Sequence, residues 1–285
     1  MKPAPFDYVR ADSADEAVAL LARHGDDARI LAGGQSLMAV LNMRLAEPSL
    51  LIDISRSVTL AQSRVAGAAL EVGAAATQAS VEWRAKLAEE VPLLALAFPH
   101  ITHFQIRNRG TVCGSIAHAD PSAELALCLL SLQGEVLLQS AKRRRSVAAA
   151  DFFTGMLSTA RAADELLTAV RFPLATAGTG HGFAEYARRH GDYAVCAVAA
   201  VTTARGIRIA VGGVADRPIA REWPSLDGSA LDDALNDFAW ALDARDDAQI
   251  SASTRRHLVR RLGRQAVAEA RRRAGAPTSS ARSAA

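Results

Sequence analysis

Two glycine-centred loops constrain this chain more than any other feature. The first is the run Ala-Gly-Gly-Gln-Ser-Leu at residues 32–37, and the second is a polar, glycine-punctuated segment at residues 107–121. Paired glycines let a backbone approach a ligand closely and turn successive amides inward, where they can cradle a phosphate. Taken alone, each loop is equally consistent with a turn that binds nothing. The Rossmann spacing G-x-G-x-x-G and the P-loop pattern are absent from both, so a phosphate site here would be of another type.

The N-terminal part of the chain alternates between strand and helix signals. Ser13 and Glu16 form a capping box, which predicts a helix that ends near Gly25. The other elements predicted here are a short strand at residues 29–32, a short helix at 37–44 and a buried strand at 50–54. The first glycine loop thus precedes a helix N-terminus, whose free N–H groups and dipole favour an anion.

The middle of the chain predicts further strands and a long functional loop. Strand-like runs lie at residues 69–73, 135–139 and 166–170, Thr77 caps a helix, and another helix fits residues 92–97. The second glycine loop belongs to a polar segment at residues 100–121, which is too long for a bare connector. We predict that this segment is a functional loop, followed by a helix that carries Glu124.

A small, glycine-rich segment at residues 176–182 is the clearest break in composition and predicts a linker. Beyond it, residues 194–203 and 207–211 predict a β-hairpin, because the second run alternates with period 2. Two helices follow, and from residue 275 a Pro, Ser and Ala composition predicts a frayed tail. The fold class is therefore α+β, in two domains.

Residue types and spacings exclude several chemistries. The three cysteines, Cys113, Cys128 and Cys196, form no Cys-x-x-Cys pair, so this chain alone cannot build a zinc ribbon or an iron–sulfur cluster. His100 and His103 lack a third ligand nearby, and no Gly-x-Ser-x-Gly elbow is present. A phosphate cradle without a nucleophile, a metal or an acid–base pair suits a cofactor carrier.

Charge and hydropathy give no sign of nucleic acid or membrane as a partner. The formal net charge is only +3, and arginines gather near the C-terminus beside apolar residues at helical spacing. Such arginines are typical of the solvated side of an amphipathic helix, so we predict no nucleic-acid binding. No apolar run approaches the roughly 20 residues of a membrane span, and the N-terminus has no secretory h-region. We therefore expect a cytoplasmic protein without membrane insertion.

Four motifs in register resemble the FAD-binding medium subunits of the molybdenum hydroxylases, the family of xanthine dehydrogenase and carbon monoxide dehydrogenase. They are the opening with Lys2, Pro3, Phe6 and Tyr8, the first glycine loop at residues 32–37, the second loop from Arg109 to Glu124, and the run Arg188-Arg189-His190-Gly191-Asp192-Tyr193. The resemblance covers nearly the whole chain, to about Gly275, and FAD is the cofactor it implies.

This resemblance also implies a fold. It predicts a two-lobed FAD-binding domain of the p-cresol-methylhydroxylase type at residues 1–176, with lobes at about 1–56 and 57–176. A small α+β domain of the carbon monoxide dehydrogenase flavoprotein C-terminal type then spans residues 177–276, and residues 277–285 form a disordered tail. The implied boundary coincides with the break in composition near Thr176.

Carried over position by position, the resemblance implies a set of FAD contacts. Residues 32–36 would bind the pyrophosphate from one side, and Thr111, Gly114 and Ser115 from the other. Glu124 matches an acidic contact, Leu166 an apolar one, and Tyr193 a residue against the isoalloxazine. The full set is Ala32, Gly33, Gly34, Gln35, Ser36, Leu37, Ile101, Thr111, Gly114, Ser115, Ala117, Asp120, Glu124, Leu166 and Tyr193.

The chain departs from the family pattern at two positions of the second loop. The family shows Thr-x-Gly-Gly-Asn where this chain has Thr111-Val112-Cys113-Gly114-Ser115. Cys113 places a Cβ where we expect the backbone to lie close to phosphate. Ser115 has a shorter hydrogen-bonding side chain than asparagine. We therefore expect a weakened, but not abolished, affinity for FAD.

The resemblance further implies partners. A large subunit would carry the molybdenum cofactor and a small subunit two [2Fe-2S] clusters, in a dimer of heterotrimers. This chain would take electrons from the iron–sulfur subunit and pass them to an external acceptor, with no catalytic side chain or metal of its own. Two alternatives remain at this stage: a stand-alone FAD-dependent oxidoreductase of the same domain superfamily, and a nucleotide-sensing or nucleic-acid-binding protein that uses the basic C-terminal segment.

Overall fold

The computed structural model describes residues 2–248 and 250–275 of the chain. The predicted disordered tail, residues 277–285, lies outside the described residues. Strands and helices are numbered below in chain order.

A small parallel sheet forms the N-terminal part. Its elements are β1 (Asp7–Arg10), α1 (Ala14–His24), β2 (Ala28–Leu31), α2 (Leu37–Asn42) and β3 (Leu50–Asp53), and the strand order is β1-β3-β2. The Ser13 side chain accepts a hydrogen bond from the amide of Glu16, as the capping box predicts. Helix α1 buries Ala17, Val18 and Leu21 against this sheet, in one core with Ile52. The alternation of strands and helices predicted for this part is confirmed.

A five-stranded antiparallel sheet follows, in the order β4-β5-β10-β6-β7. Its strands are β4 (Ser63–Ala66), β5 (Ala69–Gly73), β6 (Glu135–Gln139), β7 (Arg144–Ala148) and β10 (Leu166–Pro173), and a separate hairpin consists of β8 (Phe153–Gly155) and β9 (Ser158–Thr159). The helices of this part are α3 (Gln78–Glu82), α4 (Leu87–Glu90), α5 (Pro92–Ala97), α6 (Phe104–Arg107), α7 (Val112–His118), α8 (Glu124–Ser131) and α9 (Ala149–Phe152). The central strand, β10, thus pairs with β5 from a distant part of the chain and with β6 on its other side.

The C-terminal part is a four-stranded antiparallel meander covered by two helices. Its elements are β11 (Gly180–Tyr186), β12 (Cys196–Thr203), β13 (Gly206–Gly212), β14 (Ile219–Trp223), α10 (Gly228–Ala241) and α11 (Ala252–Ala274). The predicted hairpin is confirmed as β12 and β13.

Strand β12 is buried on both faces, and this arrangement joins the C-terminal sheet to the preceding part. Val198 and Ala200 face a core with α10 and α11, whereas Ala197 and Ala199 face the larger core that contains α5 and α8. Small side chains at these alternate positions let helices pack closely on both sides. One continuous core therefore extends across residue 176.

The C-terminal arginines have structural roles. Arg264 and Arg271 pair with Asp232 and Asp227, at or beside helix α10, and Arg273 pairs with Glu269 within α11. The first two pairs hold α11 against α10, so these arginines serve the fold.

Two sequence predictions of local structure are wrong. Residues 100–121 are not an irregular loop, because they contain helices α6 and α7. Residues 176–182 are not entirely a linker, because β11 begins at Gly180 and pairs with β12 from that residue onward. Gly180 fits there because a Cβ would lie 1.8 Å from the carbonyl oxygen of Ala270.

Candidate functional site

A cavity of about 660 Å³ opens where the two glycine loops meet. It is lined by all of the predicted cofactor-binding residues: Ala32, Gly33, Gly34, Gln35, Ser36, Leu37, Ile101, Thr111, Gly114, Ser115, Ala117, Asp120, Glu124, Leu166 and Tyr193. The fold thus collects residues that are up to 161 positions apart (193 minus 32) into one wall. A cavity of this size is within the range of sites that enclose small molecules and cofactors.

The two glycine loops touch through their backbones. A Cβ on Gly33 would lie 2.3 Å from the carbonyl oxygen of Arg109 and 2.7 Å from the Cα of Gly110. Gly34 has φ +72°, a backbone conformation that residues other than glycine rarely adopt. Both glycines are therefore required by the local geometry, whichever ligand the cavity takes.

The first loop presents free backbone donors to the cavity, whereas amides of the second loop are paired within the chain. The amides of Gly34, Gln35 and Ser36 donate no hydrogen bond among the described residues. In the second loop, Thr111 caps helix α7 and accepts a hydrogen bond from the amide of Gly114 at 2.9 Å. Backbone donors gathered around one space suit an anionic, oxygen-rich ligand such as a pyrophosphate.

A second part of the wall combines the segment after α5 with the segment before β12. Ile101, Thr102 and Gly191 all line the cavity, and a Cβ built on Gly191 would lie 3.2 Å from the Cα of Thr102. Thr102 has φ +34°, an uncommon conformation for a β-branched residue. Arg107 holds this turn, since it donates to the carbonyls of Ile101 and Thr102 at 2.5 and 3.0 Å while it also pairs with Glu82. Tyr193 completes this region, and 71% of its surface remains exposed.

Charged groups of both signs line the cavity. Burial raises the pKa of the Glu124 carboxyl to about 7, and the charge of Asp120 acts in the same direction. Arg161 has its pKa lowered by burial and by the neighbouring charge of Arg29. The guanidinium groups of Arg29 and Arg161 hydrogen-bond only to backbone carbonyls among the described residues. Two guanidinium groups without a hydrogen-bonded carboxylate are suited to a ligand with negative charge.

Several residues of the cavity wall were not predicted from the sequence. They are Arg29, Gln78, Thr102, Arg161 and Asp192, among others. Gln78 directly follows the Thr77 cap, and Arg29 lies four residues before Gly33, but neither position carries a sequence signal for ligand contact. Their place in the wall depends on how distant elements pack.

Cys113 lines the cavity beside Gly114, as its place in the second loop implies, but its side chain lies in the core. It belongs to helix α7, its side chain is buried, and its Sγ donates to the carbonyl oxygen of Val72 at 3.3 Å. The side chain is therefore anchored against strand β5, with burial raising the pKa of the thiol beyond its usual range. The helical backbone at Cys113 shows no unusual conformation, and the expected weakening of FAD affinity stays a prediction.

The described residues contain neither a cluster of metal ligands nor a helix able to span a membrane. Among residues 2–248 and 250–275, no group of three or more His, Cys, Asp or Glu side chains is arranged to hold a metal ion. Within the same residues, no helix has the length and apolar character needed to cross a bilayer.

Comparison with known proteins identifies the family. Residues 4–175 match the family described as the FAD binding domain in molybdopterin dehydrogenase. The chain is 35% identical over 284 residues to the caffeine dehydrogenase subunit beta of Pseudomonas sp. (strain CBB1), covering 95% of this chain and 96% of that one. It is 38% identical over 284 residues to the nicotine 6-hydroxylase medium subunit of Paenarthrobacter nicotinovorans, covering 95% and 99%.

Solved structures agree with this family. A chain of reconstituted CO dehydrogenase from Oligotropha carboxidovorans superposes with a TM-score of 0.91 at 33% identity, covering 96% of this chain and 100% of that one. A chain of quinoline 2-oxidoreductase from Pseudomonas putida 86 gives a TM-score of 0.88 at 33% identity, with 96% and 99% covered. The α+β fold with a p-cresol-methylhydroxylase-type FAD-binding domain is thereby confirmed. This chain belongs to the FAD-binding medium subunits of the molybdenum hydroxylase family of oxidoreductases.

Proposed function

We propose that this chain holds FAD in the cavity between its glycine loops, takes electrons from an iron–sulfur subunit and passes them to an external acceptor. The observation that carries the proposal is the convergence of both loops on one cavity in a chain of the FAD-binding family. All the family-implied contacts, far apart in sequence, line that one space.

The residues fit such a cofactor. The free amides at residues 34–36 would bind the pyrophosphate from one side, and Thr111, Gly114 and Ser115 would face it from the other. Arg29 and Arg161 would contribute positive charge, and Leu166 an apolar contact. Glu124, buried in the wall, would accept or donate a hydrogen bond to a hydroxyl group, depending on its protonation. Tyr193, exposed at the wall, is available to lie against the isoalloxazine.

In this arrangement, the cofactor and the protein side chains would have different roles. When bound, FAD supplies the redox chemistry, because it accepts electrons singly and releases them singly or in pairs. The side chains of this chain then bind and orient the cofactor and set its surroundings. None of them has to act as a catalytic acid, base or nucleophile.

The partners are inferred from the relatives. Two of these are named the medium chain of carbon monoxide dehydrogenase, and a third is a subunit of a dehydrogenase complex. We infer a large subunit with the molybdenum cofactor and a small subunit with two [2Fe-2S] clusters, in a cytoplasmic dimer of heterotrimers. The substrate would be transformed by the large subunit, away from this chain.

We also propose a division of the chain into an FAD-binding domain at residues 1–176, with lobes at about 1–56 and 57–176, and a C-terminal domain at 177–276. The three larger sheets follow this division, since their strands lie within residues 7–53, 63–173 and 180–223. The family match at residues 4–175 supports the same boundary.

Purification of the full chain tests the proposal directly. We expect a yellow protein with a flavin absorption spectrum, and acid release followed by mass spectrometry should identify FAD. Affinity purification of a tagged chain from its native cell should also recover an iron–sulfur protein and molybdenum. A colourless protein that takes up no added FAD would contradict the cofactor assignment. FAD bound without any iron–sulfur partner would favour a stand-alone flavin oxidoreductase.

A further inference from the structure

Gln78 occupies a position between the two glycine loops that the family-implied contacts do not include. It is the first residue of helix α3, directly after the Thr77 cap. Thr77 forms an isolated β-bridge with Thr111, and the amide of Gln78 donates to the carbonyl oxygen of Gly110 at 2.7 Å. The backbone around Gln78 is therefore fixed to the second glycine loop.

The side chain of Gln78 is buried and has no polar partner. Only 7% of the residue is exposed, and its Oε1 atom is buried without a hydrogen bond. Among the described residues, no hydrogen bond involves either end of this side-chain amide. Most buried polar groups have a partner, because an unpaired one retains the full cost of its desolvation.

This unpaired amide lies in the wall of the cavity, near both loops. A Cβ built on Gly110 would lie 3.5 Å from Nε2 of Gln78 and 3.5 Å from Cγ of Gln35. Gln78 lines the cavity together with these two residues. The amide is thus placed beside the space that the cofactor linker would fill.

We propose that the Gln78 amide is a further cofactor-binding group, which donates a hydrogen bond from its nitrogen to an oxygen of the diphosphate–ribityl linker of FAD. The inference rests on the proposed function, since it needs FAD in this cavity. The two ends of a glutamine amide are nearly equivalent in shape, so a half-turn of the amide would present its oxygen to a linker hydroxyl instead. Either orientation pairs one end of an amide that makes no hydrogen bond among the described residues.

A purely structural role makes the opposite prediction. If Gln78 served the fold, its amide would bond to other residues, and its removal would lower stability without affecting the cofactor. Gln139 is a matched control for that role. It is 8% exposed, donates to Asp15 at 2.7 Å and does not line the cavity.

The test uses the full chain, freed of FAD and then titrated with FAD while flavin fluorescence is followed. In Gln78→Met, we expect the FAD-free melting temperature to stay the same or rise, because methionine removes an unpaired buried amide at similar length. The dissociation constant for FAD should rise roughly tenfold, the loss of one hydrogen bond to a charged group. Gln139→Met should do the reverse, with a lower melting temperature and unchanged FAD affinity.

A second variant separates charge from shape. Gln78→Glu keeps the size but places a carboxylate beside the phosphates, so it should weaken FAD binding more than Gln78→Met does. Wild-type affinity in both variants would overturn the inference, as would a markedly lower FAD-free melting temperature in Gln78→Met. Failure of the wild-type chain itself to bind FAD would instead overturn the proposed function.

Discussion

Gly33 and Arg109, 76 positions apart in the chain (109 minus 33), are in backbone contact: a Cβ on Gly33 would lie 2.3 Å from the carbonyl oxygen of Arg109. This contact closes the two glycine loops around the cavity. Because the obstructing atoms belong to the backbone, they cannot move aside as a flexible side chain would. The shape of the site therefore depends on the absence of a single methyl group.

The first prediction concerns this contact. Gly33→Ala should push the loops apart, lower the free energy of unfolding by about 1–3 kcal/mol through over-packing and reduce the FAD content of the purified chain. Thermal unfolding and the ratio of flavin to protein absorbance measure the two effects. Gly155→Ala is a suitable control, because its Cβ would make only ordinary contacts, 3.6 Å from Asp216 Oδ2 at the nearest. Full FAD content in Gly33→Ala would show that the loops do not need to touch.

The second prediction isolates charge at the first loop. Gly34 has φ +72°, so any replacement adds strain, and asparagine and aspartate tolerate this region better than other residues do. Gly34→Asn and Gly34→Asp therefore have similar shape and strain but differ by one negative charge. We expect the aspartate variant to bind FAD at least about tenfold more weakly than the asparagine variant, because it adds a negative charge to the loop proposed to bind the phosphates. Equal affinities would contradict a phosphate site at this loop.

Helix starts were predictable from sequence, because their determinants lie three residues apart. The Ser13 hydroxyl accepts from the amide of Glu16 at 3.2 Å, and the Thr77 hydroxyl accepts from that of Ser80 at 3.1 Å. The helices within residues 100–121 were not predictable in this way. Helices α6 and α7 have four and seven residues, too few for a hydrophobic period to emerge.

The sequence also could not predict which distant residues reach the cavity wall through tertiary packing. Gln78 and Arg161 come from separate elements, and only the fold brings them to one wall. For Cys113, the motif predicted a place beside the cavity but not the direction of the side chain. Its position in the motif suggested a loop near phosphate, yet the helix that follows the Thr111 cap turns its side chain toward Val72.

The third prediction concerns Cys113→Gly. The change should remove a buried side chain and put glycine inside helix α7. We expect a loss of about 2–3 kcal/mol in the free energy of unfolding, from roughly 1 kcal/mol of helix propensity and the remainder from the cavity created. FAD affinity should change little, as measured by fluorescence titration. Tighter FAD binding with unchanged stability would restore the loop interpretation.

The fourth prediction concerns pH and Glu185, a carboxyl that is only 3% exposed. Burial, reinforced by the charge of Glu124, raises the pKa of Glu185 to about 8. The nearest basic atom is Nδ1 of His100, 3.9 Å from its Oε1, and burial lowers the pKa of that imidazole. The folded chain therefore holds a proton on Glu185 at neutral pH.

The sign of the effect on stability follows from proton binding. Between the ordinary pKa of a glutamate and about 8, the folded state binds more protons than the unfolded state, so the free energy of unfolding falls as pH rises through this window. Glu185→Gln should reduce that fall, leaving the smaller contribution of Glu124. Melting temperatures measured across the window test this, with the half-exposed Glu135→Gln as control. A wild-type slope in Glu185→Gln would show that Glu185 is ionised in the folded chain.

The last prediction concerns Tyr193. Its ring lines the cavity in the segment that follows Gly191, yet 71% of the residue is exposed. A side chain that packs between the two parts of the chain would be largely buried, so the exposure argues against a structural role. An aromatic ring against FAD would contribute roughly 0.5–1.5 kcal/mol beyond burial, or about a two- to tenfold change in affinity.

Tyr193→Ala should therefore alter flavin fluorescence and the flavin reduction potential and weaken FAD binding within that range. The melting temperature of the FAD-free chain should stay constant, because an exposed residue contributes little to stability. Tyr186→Ala is the matched control, since Tyr186 is also exposed, at 44%, and ends the neighbouring strand β11 without lining the cavity. If Tyr193→Ala lowers only the melting temperature and leaves the flavin spectrum and potential unchanged, the ring stabilises the fold and does not contact the cofactor.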